Sequence, residues 1–261
     1  MKGFYAIYRK EMGHYFVSPI AYAIIGLFVL IAATLFYIFL RTEMIQSMQA
    51  QYQSMQSGMP MEIDVPANVM RAFFFWLFIL ALFLTPMLTM GVFADERKRG
   101  TMELLMTSPI TEAQIVLGKF AASLTLFALM LLPTLSFLVF MYLHSDPMPP
   151  WRVLWCGYAG IMLLGGSLLA LGSFISSLTE NQIIAAVLSF VLLMLVWLLS
   201  VGQSFGGWIG NTLAYLSFFT HYEDFTRGII DTTALVYYFS IMVFFVFLTV
   251  RSVDSMRWRR A

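Results

Sequence analysis

The side chains that could do chemistry in this sequence are few and widely spaced. His221 is followed by Glu223 and Asp224, residue types that bind metals or act as an acid–base pair when brought together. With Arg227 and Asp231 close by, they also read as hydrogen bonds and ion pairs that hold a turn, and this reading is favoured. Met44, Met48, Met55, Met59 and Met61 stand among five glutamines. Thioether sulfur suits Cu(I), but methionine is also a flexible apolar filler, and an amphipathic helix or a loop is the simpler expectation. Cys156 is the only cysteine, so a disulfide or a cysteine-based zinc site within one chain is excluded. No G-x-x-x-x-G-K-[ST] string occurs, because Gly118-Lys119 precedes Phe120 and lacks the earlier glycine. His14, His144 and His221 could serve an intramembrane hydrolase or acyltransferase, yet no apolar segment carries the ionisable cluster that such catalysis needs. Neither a catalytic residue nor a metal ligand is assigned.

The elements that carry these residues are apolar. Of 261 residues, 60% are hydrophobic and 11% charged, whereas soluble domains carry about 25% charged residues. Lipid is therefore the expected solvent for most of the surface. A helix needs about 20 apolar residues to cross the hydrocarbon core. Runs of that order predict spans at 20–40, 72–93, 117–143, 153–179, 182–201 and 232–250 of one all-α integral membrane domain, residues 1–261. The charge-free stretch 181–222 is 42 residues long, about twice one crossing. Its second half holds Gly202, Gly206, Gly207 and Gly210, and broken backbone is tolerated at membrane depth only where protein or a water-filled cavity satisfies it. A re-entrant hairpin within 202–231 is expected, with Gly206, Gly207, His221, Glu223, Asp224 and Arg227 as its gate residues. Pro133 is expected to kink span three.

Lys and Arg are retained on the cytoplasmic side of short loops. Eleven fall on one side of the six spans and four (Arg41, Arg71, Arg152 and Arg227) on the other. Both termini are therefore expected in the cytoplasm, with 41–71 an extracytoplasmic linker. Residues 1–19 are read as retained rather than cleaved, since no small-residue cleavage site follows the first apolar run. In that segment Phe4, Ile7, Tyr8, Met12 and Tyr15 share one face, with Lys2, Arg9 and Lys10 opposite, an interfacial helix pattern suited to membrane lipid. Glu11 falls inside the apolar arc and needs a cationic partner, which local sequence does not name.

The cytoplasmic loop 94–116 is the most polar. Asp95, Glu96, Arg97, Lys98, Arg99, Glu103 and Glu112 crowd it, and Lys119 follows. Thr101 is placed to cap a short helical turn bearing Met102, Leu104, Leu105 and Met106, whose exposure in a charged loop points to a docking surface. Ser108-Pro109 stops that turn. Thr111 with Gln114 has capping-box spacing for the next helix. A solvated connector on lipid headgroups is the bland alternative.

The string from Phe93 to Ile110, with Glu96, Arg97, Gly100, Thr101, Glu103, Leu104, Leu105, Met106, Ser108 and Pro109, followed by Leu117-Gly118-Lys119, resembles the signature loop of type-2 ABC exporter permeases. Within that class the chain resembles the gliding-motility-associated (GldF) permeases, through residues 176–182, 215–217 and 221–225. The resemblance implies that Gly100 to Met106 form a coupling helix seated on a separate ABC ATPase subunit, which binds ATP and Mg, with the N-terminal helix (Arg9, Lys10, Glu11) beside it. It further implies a second permease copy or paralogue, an auxiliary extracytoplasmic membrane protein and a place in the bacterial inner membrane. No cofactor in this chain, no enzymatic activity of its own and no nucleic-acid partner are expected. A passive channel or scaffold would not require the docking turn.

Overall fold

Backbone in lipid must satisfy its own hydrogen bonds, which leaves helices for runs of this kind. The computed structural model describes residues 2–57, 64–106, 109–146 and 148–258, apart from the side chains of Lys2, Ile20, Glu103, Leu104, Met106, Gln203, Phe205, Arg257 and Trp258. Among these residues there is no strand. The helices are α1 (Lys2–Val17), α2 (Pro19–Ser57), α3 (Val65–Thr89), α4 (Gly91–Lys98), α5 (Thr101–Met106), α6 (Glu112–Leu131), α7 (Leu135–His144), α8 (Trp151–Leu178), α9 (Gln182–Leu198), α10 (Gly207–Leu216), α11 (Phe218–Thr226) and α12 (Thr232–Trp258). Six segments are long and apolar enough to cross a membrane: Ala21–Ser57, Val65–Lys98, Glu112–His144, Trp151–Leu178, Gln182–Gly202 and Thr232–Met256.

Several boundaries differ from the sequence expectation, each for a local reason. Residues 41–57 of the expected linker continue α2, a helix being one of the two forms expected there, because they hold no glycine or proline and consist largely of good helix formers. Met59 and Met61 lie outside the described residues, and Met44, Met48 and Met55 are exposed along the α2 extension. Asp64 caps α3 by accepting from Ala67 N–H, with Pro66 in the first turn, so the helix begins before Arg71. Pro133 sits in a 3₁₀ turn, Leu132–Thr134, between α6 and α7, as expected of a residue that cannot donate to the helix ladder. Thr134 Oγ1 donates to the Leu131 carbonyl and lies 2.8 Å from Tyr158 Oη.

The core is built around α8. In its most apolar window 78% of the residues are buried, and 67% in that of α3–α4, against 17% for α2, α9 and α12; the last three present their sides to the surroundings. Between helices in lipid, close packing replaces the hydrophobic drive, and small residues allow it. On α8, Phe74 of α3 fills the space beside Gly157, Phe225 of α11 that beside Gly160, Phe127 of α6 that beside Gly165 and Met242 of α12 that beside Gly166. Four neighbours are thus keyed to one helix.

Between α9 and α12 the chain forms a 3₁₀ turn, Leu199–Phe205, then α10 and α11. Gly206 and Gly207 have φ of 64° and 66°, a left-handed conformation that glycine adopts without a Cβ clash, and α10 folds back on the preceding turn. Tyr222 Oη donates to the Phe74 carbonyl at 3.0 Å, and Tyr238 Oη to the Phe218 carbonyl at 2.7 Å. These bonds tie α11 to α3 and α12.

Candidate functional site

Charged residues collect where α1, α4, α5 and the last turns of α12 meet α6 and α8. Val92, Phe93, Met102, Val116 and Val253 form a small buried cluster there, distinct from the main core, with Leu105 packed against it. The α5 turn therefore differs from the docking turn expected from sequence. Met102 is buried and Leu105 half-buried, because Gly100 turns the chain at φ 72° and folds α5 back onto α4, α6 and α12. Thr101 is the first residue of α5, and its hydroxyl donates to the Glu96 carbonyl at 3.4 Å. The side chains of Glu103, Leu104 and Met106, and all of Ser108, lie outside the described residues. Pro109 is exposed. Thr111 does cap α6, its hydroxyl accepting from Gln114 N–H at 3.4 Å.

Lys119 organises the junction. It is buried with a side chain 2% exposed, and donates to Glu11 Oε1 at 2.9 Å and to the Val92 carbonyl at 2.9 Å. Glu96 Oε2 stands 3.0 Å from the same ammonium but off the direction of a hydrogen bond, so that oxygen is buried with a Coulombic partner alone. The second oxygen, Glu96 Oε1, accepts from Lys10 Nζ at 2.8 Å. The Phe93 ring lies 5.5 Å below the Lys119 ammonium, within cation–π range. Two ammoniums thus face two carboxylates, and α1, α4 and α6 are joined by them. Glu11 finds the partner its place in an apolar arc required.

The apolar face of α1 is turned to α6, with Ile7 buried. Gly118 permits this approach: a Cβ there would lie 2.9 Å from Ile7 Cγ2 and 3.1 Å from the Phe4 carbonyl. Tyr8 Oη donates to Thr125 Oγ1 at 3.2 Å, and Tyr15 Oη lies 3.3 Å from Ser123 Oγ. Burial raises the Tyr15 pKa to about 12; the hydrogen bond to Ser123 opposes the shift and the Glu11 charge adds to it. Arg9 stays exposed on the opposite face.

Arg97 connects α4 to the end of α8. Its Nη1 donates to the Ser177 carbonyl at 2.8 Å and its Nη2 pairs with Glu180 at 3.0 Å. Beside this pair, Arg97, Lys98, Leu178, Thr179, Glu180 and Asn181 line an open cavity of about 420 Å³. Asn181 caps α9, accepting from Ile183 N–H at 2.9 Å. Lys119, Ser177 and Glu180 are the contributors that local sequence reasoning did not place in a site. A carboxylate in an apolar arc and a lone lysine at the head of a span were the available signals.

A family model described as ABC-2 family transporter protein matches residues 5–253. The chain belongs to the ABC-2 transporter family. No curated protein matches it. Family membership and six apolar helical segments make the chain a multi-pass membrane protein and the transmembrane component of an ABC transporter, a subunit type that pairs with an ABC ATPase.

The remaining sequence candidates of this ABC-2 chain lie apart from the junction, on α10 and α11. His221 is buried, its ring stacked 3.9 Å from that of Tyr237 at 3°, with Nδ1 3.2 Å from the Ser217 carbonyl. Glu223 pairs with Arg227 one turn on. The Asp224 carbonyl accepts from Arg227 N–H and Ile229 N–H, closing α11. The Glu223 and Asp224 contacts lie within the turn that ends α11, and the His221 stacking joins α11 to α12. His14 lies beside Tyr15, and His144 stacks on Phe140.

Proposed function

We propose that this chain is the permease subunit that couples ATP hydrolysis by a separate nucleotide-binding subunit to export, or to conformational work across the membrane. The observation that carries the reading is the junction of Lys119 with Glu11, Lys10 and Glu96, which ties α1, α4 and α6 into one unit next to α5. A buried ion cluster is weak evidence for stability, since apolar replacements often serve as well. Its value here is positional: it holds the loop that would meet the ATPase in a fixed relation to three other helices.

In this reading α5 is the coupling helix that meets the ATPase, Leu104 and Met106 being assigned to that contact by the family resemblance, while Met102 is buried and Leu105 packs against the bundle. Glu96, Arg97, Gly100, Thr101, Glu103, Ser108 and Pro109 shape it, and α1 lies alongside with Arg9 toward lipid headgroups. Both termini are cytoplasmic and the membrane is the bacterial inner membrane, in accord with the Lys and Arg bias. ATP and Mg belong to the partner. Two permeases, alike or paralogous, enclose the pathway, and Gly206, Gly207, His221, Glu223, Asp224 and Arg227 belong to a re-entrant gate at its outer end. The likeness to gliding-motility permeases adds an auxiliary extracytoplasmic membrane protein to the assembly.

The test is purification of the chain with its ATPase. Leu104→Asp is expected to abolish association or nucleotide turnover by the complex, while the permease alone still folds. Full association and full turnover in that variant overturn the assignment of α5.

A further inference from the structure

The ladder of the second span is interrupted at Met90, between α3 and α4, just before the charged segment begins. Three features weaken it on approach. Pro86 removes one donor, and Thr85 and Thr89 bond back to the carbonyls of Ala81 and Thr85 at 2.6 and 2.9 Å, a pattern that bends helices. At the interruption a side chain from another helix enters. Ser176 of α8, fully buried, accepts from Phe93 N–H and from Ala94 N–H at 3.2 Å each, and donates to the Met90 carbonyl at 2.9 Å. A hydroxyl has one proton to give and two lone pairs to offer, and all are used on this one turn.

The Met90 carbonyl and the Ala94 N–H are the i and i+4 groups that bond each other in an unbroken helix. The Ser176 hydroxyl is bonded to both, and a side chain inserted into the ladder is an identified cause of helix bending. The alternative state is already at hand: Met90 is itself in the αR conformation, so without the hydroxyl Met90 and Ala94 can close on each other and complete the ladder.

We infer that Ser176 is a positioning residue that sets the angle of α4, and through Glu96 and Arg97 the orientation of the loop that meets the ATPase. It acts on backbone groups alone. The link to coupling rests on the function proposed above; the link to the angle of α4 does not.

The experiment separates the two. In a Cys156→Ala background, spin labels at Lys98→Cys and Thr232→Cys report the distance between the end of α4 and the far end of α12 in the full-length chain in lipid nanodiscs. An eight-residue helix is about 12 Å long, so a change in direction of about 20° moves its end by about 4 Å. Ser176→Ala is expected to shift the distance by a few Å, and Ser176→Gly, which also lacks the hydroxyl, to shift it the same way. Ser176→Thr, which keeps the hydroxyl, is expected to restore the wild-type distance. Ser177→Ala, which loses the bonds to Phe174 and Ser252 instead, is expected to leave it unchanged. Unchanged distances in both Ser176→Ala and Ser176→Gly, or an equal shift in Ser177→Ala, overturn the inference. In the complex with the ATPase, nucleotide turnover is expected to fall with Ser176→Ala and to recover with Ser176→Thr. A shifted distance with unchanged turnover overturns the role assigned to α4 in coupling while leaving its positioning by Ser176 intact.

Discussion

Removing the Lys119 ammonium leaves Glu11 and Glu96, whose side chains are 12% and 14% exposed, with Lys10 as their shared cation. Lys10 is 54% exposed, and exposed pairs contribute only about 0–1 kcal/mol, so it cannot take over. Taking one partner from a buried ion cluster costs about 3–5 kcal/mol, because the remaining charges stay desolvated and uncompensated. Scaled by about 2–4 °C per kcal/mol for a chain of 150–250 residues, Lys119→Met lowers the melting temperature by about 6–20 °C. Neutralising the whole cluster has the opposite logic. With Glu11→Gln and Glu96→Gln added to Lys119→Met no charge is stranded, and replacing an entire buried ion cluster is often neutral. The triple variant is therefore expected to recover most of the loss. Thermal unfolding of the five proteins (wild type, Lys119→Met, Glu11→Gln, Glu96→Gln and the triple variant) in one detergent measures this, and strong non-additivity is the signature of a shared network. A single variant within 1 °C of wild type, or a triple variant as unstable as the sum of its parts, refutes the reasoning.

Gly118→Val places a branched side chain against Ile7 and the Phe4 backbone, so α1 is expected to leave α6 and a protease site engineered into α1 to be cut many times faster than in wild type. Glu180→Ala breaks an exposed pair and costs less than about 1 kcal/mol; Arg97→Ala also loses the bond to the Ser177 carbonyl, and a larger drop in melting temperature than for Glu180→Ala is expected. Tyr15 is kept neutral in the fold, with its pKa raised to about 12. The unfolded chain ionises first, so its contribution is complete below pH 10 and fades as the pH rises toward 12. Melting temperatures of wild type and Tyr15→Phe at pH 9 and 11 are expected to converge at the higher value. For topology, a membrane-impermeant maleimide applied to intact cells is expected to label Met55→Cys but not Lys98→Cys; the reverse pattern overturns the orientation.

Run length and charge-free composition made the six spans legible, because a membrane imposes a length that sequence can be measured against. The ends of the helices were less so. Residues 41–57 lack the apolar character of a span yet hold every requirement of a helix, and α12 runs on past Arg251 to Trp258. The junction was legible only as an anomaly. Glu11 announced a missing cation, but Lys119 is 108 positions away, and no local pattern joins them. Ser176 was hidden more completely, since it bonds backbone groups more than 80 positions distant, which leave no trace in side-chain types. The inward turn of Met102 depends on α12 returning beside α4, a tertiary fact.

The short length of α4 gives these contacts their weight. A helix of eight residues is far below the roughly 12–15 that hold themselves together in isolation, so its orientation comes from its neighbours. Each side of α4 is committed to a different one. Val92 and Phe93 enter the apolar cluster shared with α6 and α12, Glu96 reaches α1 and α6 through Lys10 and Lys119, and Arg97 reaches the end of α8. A packed interior does not stretch to absorb small displacements. Movement of any of these four partners must therefore be followed by α4 or be resisted by all the others. A segment held in this way moves with the bundle as a unit, as the coupling role proposed for the loop that follows it requires.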